Sequence, residues 1–128
     1  MLFSGVIDYW IDLAIRYSDY DGQNQPNERA VALGLLVSIW ESKPGKIEEK
    51  NDLASAILTM LKRGCRDRVK ILRTSSCEMM FKLLHSFALD RNPFAPIIYK
   101  SLTFLLIEFH YDIQIREQML KHFTTLFI

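Results

Sequence analysis

ILRTSSCEMMFKLL, residues 71–84, sets Ser75, Ser76 and Cys77 inside an otherwise apolar run. Either Cys77 is a reactive or metal-binding group, or it is a small side chain where two helices come close. Two further segments bear on that choice. LRTSSCEMMFKL (72–83) aligns with ERAVALGLLVSI (28–39) and with IREQMLKHFTTL (115–126), at successive offsets of 44 and 43 residues. Each block has arginine second (Arg29, Arg73, Arg116) and an apolar residue ninth (Leu36, Met80, Phe123). Each has another apolar residue twelfth (Ile39, Leu83, Leu126). A repeat of this length is a signature of stacked helix pairs.

The surrounding sequence divides into six helical segments. The first covers about 2–18, where Phe3, Val6, Ile7, Trp10, Leu13, Ala14 and Tyr17 recur at three- and four-residue steps. Gly22 breaks it, and Asn24 or Gln25 before Pro26 starts the second, about 26–41. Val31, Leu35, Leu36, Ile39 and Trp40 form its stripe, and SKPG closes it at Pro44. The apolar residues of VALGLLVSIW do not alternate and run beyond ordinary strand length, so a helix is predicted there too.

A third helix, about 47–63, begins with Glu48 and Glu49 and ends with Lys62 and Arg63, a polarity matching the helix dipole, with Gly64 as its C-cap. The fourth spans about 67–89. Asn92-Pro93 starts the fifth, about 93–109, with Phe94, Ile97, Ile98, Leu102, Leu105, Leu106 and Phe109 on its apolar face. Asp112 caps the sixth, 113–127, whose stripe is Ile115, Met119, Leu120, Phe123 and Leu126. The prediction is an all-α single domain over 1–128, with helix pairs about 2–41, 47–89 and 93–127.

The repeated blocks resemble the HEAT/armadillo class of helical repeats. In that class an aspartate is followed about five residues later by a Val-Arg pair, then small residues and a Leu-x-x-Leu ending. Here Asp67 precedes Leu72-Arg73, Ser76 and Cys77 hold the small positions, and Met80 and Leu83 follow. The third block departs, with Asp112 only three residues before Ile115-Arg116 and Met119 and Leu120 at the small positions. The first has Gln23 for the aspartate and Glu28 for the apolar member, with Ala32, Leu33 and Gly34 as its compact middle. The resemblance implies a right-handed α-solenoid of three antiparallel helix pairs and a non-enzymatic protein–protein interaction scaffold. It implies a structural role for the recurring arginines, tying adjacent repeats, and a concave wall near 28–41, 72–86 and 115–125.

Helical hairpins need stacked neighbours to bury their apolar faces, and solenoids normally end in a polar cap. The ending TTLFI carries Leu126, Phe127 and Ile128, which predicts a piece of a longer protein, an end that docks on a partner or a second copy, or a last helix that simply packs backwards on its own chain. No window approaches a membrane span, and MLFSGVIDYW lacks the basic start of a signal peptide. Two cysteines twelve residues apart then point to reduced thiols in a cytoplasmic or nuclear protein.

Chemistry finds little support. Cys77 lies mid-helix, and His85 is eight residues away, about 12 Å along the axis. Cys65 and Cys77 match no zinc spacing, while His85, His110 and His122 are scattered. Asp8 and Asp12 share a helix face that reads as solvated, and the glycines form no phosphate loop. No catalytic residue, cofactor or metal is expected.

Two surfaces remain as binding candidates. Lys62, Arg63, Arg66, Arg68, Lys70 and Arg73 face only Asp67, so this edge suits an acidic protein surface. Nucleic acid is the alternative partner, although no aromatics interleave with the charges to stack on bases. Tyr9, Trp10, Tyr17 and Tyr20 are the second candidate: at helical spacing aromatics are more often core, and where exposed they anchor partners. A compact helical dimerisation domain is the competing architecture.

Overall fold

The computed structural model describes residues 2–18, 25–50, 52–108 and 113–127. Tyr20, Gly22, Gln23, Asn24, Phe109, His110 and Asp112 lie outside the described residues, as do the side chains of Phe3, Leu106, Ile115 and Leu126. The helices are α1 (Leu2–Ser18), α2 (Pro26–Ser42), α3 (Pro44–Glu48), α4 (Leu53–Cys65), α5 (Lys70–Leu89), α6 (Ala95–Glu108) and α7 (Ile113–Phe127). No strand occurs among the described residues, so the fold is all-α.

Among the described residues seven helices replace the six expected, because the predicted 47–63 helix is broken. Pro44 holds Lys43 out of the helical region (φ −139°, ψ 73°), which ends α2 and starts α3. Asp52 then adopts the left-handed conformation at φ 60°, where a helix cannot continue, and α4 begins at the next residue. The signal was Asn51-Asp52, two residue types that tolerate this conformation. Glu48 therefore closes α3, and the dipole match survives only in Lys62 and Arg63 of the last turn of α4.

The chain forms two compact units, Met1–Ser76 and Cys77–Ile128, with the division inside α5. In the first, α1 packs on α2, α2 on α3 and α4, and α3 on α4. Ile11, Leu36, Val37, Trp40, Ile47, Ile57, Leu61 and Leu72 are among its buried apolar side chains. Each contributes about 1.5–3 kcal/mol by leaving water. Ser18, at the end of α1, donates to the Ile15 carbonyl (3.1 Å) and meets Met60 Sδ of α4 (3.3 Å).

Gly64 does not cap α4. It lies within the last turn, no glycine among the described residues has positive φ, and Arg66 ends the helix through its N–H on the Arg63 carbonyl (3.0 Å). Gly64 is required by packing instead. A methyl group there would fall 2.8 Å from Ser76 Cβ and closer still to Ser76 Oγ. Ser76 thus stands where a neighbouring helix comes close, and Cys77 beside it is fully buried.

In the second unit Met80, Leu83, Phe87, Ile98, Leu102, Leu105 and Met119 are buried. Phe81 stacks on His122 (4.7 Å) and meets Phe123 edge-on (5.0 Å), which in turn meets Tyr99 (5.9 Å). A hydrogen bond from Gln118 Nε2 to Glu78 Oε1 (3.1 Å) links α7 to α5. α5 ends with Arg91 at φ 56°, the Asn92 N–H on the Phe87 carbonyl (2.9 Å) and the Arg91 N–H on that of Ala88 (3.4 Å). This is a Schellman closure with arginine in the position that favours glycine. Asn92 Oδ1 then accepts the Phe94 N–H (2.8 Å) and turns the chain into α6.

Several predicted core positions face outward. On α1 the buried positions among the described side chains are Ile11, Ala14 and Ser18, whereas Val6, Trp10 and Tyr17 are exposed. On α2, Ala32, Leu33, Leu36, Val37 and Trp40 are buried, and Val31 is not. Ile97 on α6 and Leu120 on α7 are also exposed. Each helix has more apolar residues than one buried face can hold, so period alone does not choose among them.

Candidate protein-binding groove between the first two helices

The predicted basic edge lies at the α4–α5 turn and divides into two kinds of residue. Asp67 organises the turn: its Oδ1 accepts the Val69 N–H at 2.8 Å, and its Oδ2 pairs with Arg29 Nη1 of α2 at 3.6 Å. Both side chains of that pair are nearly buried, at 12% and 6% exposure. Arg73 Nη1 donates to the carbonyls of Asp67 (3.0 Å) and Arg68 (3.3 Å). Arg29 and Arg73, two of the recurring arginines, therefore bind the turn to itself and to α2. Arg116 is exposed.

Arg73 is thus engaged inward at the turn. Lys62 is half-buried, and its carbonyl accepts from Arg66 Nη1 at 3.4 Å. Arg63, Arg66, Arg68 and Lys70 are exposed. They make a cationic rim, with Arg63 beside a small cleft that Ser18, Arg29 and Met60 also line.

A concave surface does occur between α1 and α2. Trp10, Leu13, Ala14 and Tyr17 form one wall, at the i, i+3, i+4, i+7 positions of a single helix face. Asn27, Glu28, Val31, Ala32 and Leu35 form the other. The groove has a volume of about 390 Å³, and Glu28 is the one charged residue among the described residues that line it. Trp10 is 45% exposed, Tyr17 47% and Val31 74%. Val6 and Tyr9 extend the exposed apolar surface on α1, with Tyr9 edge-on to Trp10 at 5.7 Å.

The sequence left Tyr9, Trp10 and Tyr17 between core and an aromatic surface, and the structure leaves all three exposed. Leu13, Val31 and Leu35 were assigned to core stripes instead. The available signal was the composition of α2, where Val31, Ala32, Leu33, Leu35, Leu36, Val37, Ile39 and Trp40 leave almost no polar face. An apolar surface wider than its neighbours can cover must remain partly outside.

Cys65 and Cys77 are buried thiols without a disulfide between them. His85 is exposed, and His122 lies against Phe81. Asp8 is half-exposed and pairs with Lys50 at 3.4 Å, while Asp12 faces solvent. Among the described residues no three His, Cys, Asp or Glu side chains gather to hold a metal ion, and no helix is long and apolar enough to cross a membrane. No protein-family model, curated protein or solved structure matches this chain.

Proposed function

We propose that this chain is a non-enzymatic protein-interaction module built as a HEAT/armadillo-like right-handed α-solenoid, and that its principal binding surface is the α1–α2 groove. The observation carrying the functional part is the exposure of Trp10, Tyr17 and Val31 around an apolar concavity. Contiguous exposed apolar surface is costly in water and marks interaction sites, and large aromatics supply most of the energy at such sites. A helix lying between two helices engages such walls through its own i, i+3, i+4 and i+7 positions.

The solenoid part draws support from the pair between Arg29 of the first repeated block and Asp67 ahead of the second. It also draws on the close approach of Gly64 and Ser76. Two buried thiols without a disulfide suit a reducing compartment, the cytosol or nucleus.

The test is photo-crosslinking of the full chain in cell extract, with the crosslinker placed at Val31 or, separately, at Arg68. Protein adducts at position 31, competed away by excess unmodified chain, are the expected result. Adducts confined to position 68 would move the site to the basic edge, and nucleic-acid adducts there would replace the reading with nucleic-acid binding. Absence of adducts at both positions would overturn it.

A further inference from the structure

Resting on the interaction reading above, we infer that the occupant of the α1–α2 groove is the exposed face of α6 from a second copy of this chain. α6 buries Ile98, Leu102 and Leu105 and leaves Ile97, Phe104 and Ile107 outside, Phe104 at 58% exposure. Those three residues stand at i, i+7 and i+10, in one row along the helix, with exposed Lys100 in the same row. This is the pattern a helix needs to lie in an apolar groove.

The dimensions agree. From Ile97 to Ile107 the row runs about 15 Å, and the Trp10–Tyr17 wall runs about 10 Å, each at 1.5 Å per residue. The charges agree as well. Among the described residues Glu28 is the one charge lining the groove, and Lys100 is the cation within the row, so docking brings opposite charges together. A formal net charge of +1 sets no general repulsion between copies. One contact also covers two apolar surfaces that would otherwise each face water.

Groove and row are different surfaces, so the contact is heterologous. Each molecule in a pair keeps one unused groove or one unused row, and further copies add to it. Both surfaces are small, which places the contact among weak, concentration-dependent associations.

Light scattering and sedimentation across a broad concentration series test this with wild type, Val31→Lys and Phe104→Lys. Both substitutions fall on exposed positions, and circular dichroism with thermal melting verifies that the variants fold. Wild type is expected to grow in mass with concentration, while each variant alone stays monomeric. An equimolar mixture of the two is expected to stop at a dimer, because only one intact groove and one intact row remain compatible. Trp10 emission should shift to the blue on association, with Trp40, fully buried, contributing a constant background.

Three results would overturn the inference: wild type monomeric at near-millimolar concentration, either variant associating like wild type, or a mixture that stays monomeric. If wild type is monomeric while position 31 still crosslinks another protein, the groove keeps its role and only the self-docking falls.

Discussion

The α4–α5 turn and the α1–α2 surface reverse what their compositions suggest. The turn is rich in charge, yet two of its charged groups are turned inward: Asp67 is buried, and Arg73, half-buried, folds back onto the turn's carbonyls. The α1–α2 surface is rich in apolar residues, yet Trp10, Tyr17 and Val31 remain outside. Charge is spent internally where a helix junction must be held, and apolar area is left over where two helices carry more of it than their own contact can bury. Composition reports how much of each kind of surface exists, and packing decides which part of it is used.

That contrast breaks most easily at Asp67. Asp67→Ala removes both the acceptor of the Val69 N–H and the carboxylate paired with Arg29, for an expected loss of roughly 2–4 kcal/mol in chemical denaturation. Asp67→Asn keeps an oxygen for the Val69 N–H and should lose less. Equal losses for the two variants would mean that the Val69 hydrogen bond contributes nothing and that the Arg29 pair carries the whole effect.

A smaller effect is expected where Gly64 meets Ser76. Gly64→Ala gains about 1 kcal/mol in helix propensity but overpacks a junction, for a net loss of roughly 1–2 kcal/mol. Adding Ser76→Gly should recover part of that loss, seen as a non-additive double-mutant cycle. Additive losses would separate the two positions. The smallest change belongs to the groove. Val31→Lys should alter stability by no more than about 0.5 kcal/mol while abolishing association. A large drop in melting temperature would show that Val31 is core after all.

Much of the helical layout was legible because it rests on local rules. Pro26 at the first position of α2 and Asn92-Pro93 ahead of α6 start helices where they were expected. Met80 and Leu83, paired with Ser76 and Cys77 in the repeated block, are all buried. The break at Asp52 was missed although Asn51-Asp52 carried a local signal, because the apolar spacing on either side looked continuous. Gly64 was misread for a different reason. A glycine near a helix end fits a C-cap equally well, and only the position of Ser76 reveals that bare space was needed there.

By itself, then, the sequence determined an all-helical chain with small residues in the middle of α5, since periodicity, proline and glycine act within a few residues. It could not determine which side of α1 and α2 meets a neighbour. That depends on which helices pack together and how much area their contact covers. Tertiary structure decided it by burying Ile11 and Ala14 while leaving Trp10 and Tyr17 to line a groove. Cys77 obeys the same division: its neighbours in sequence made it small and helical, and the surrounding fold made it fully buried.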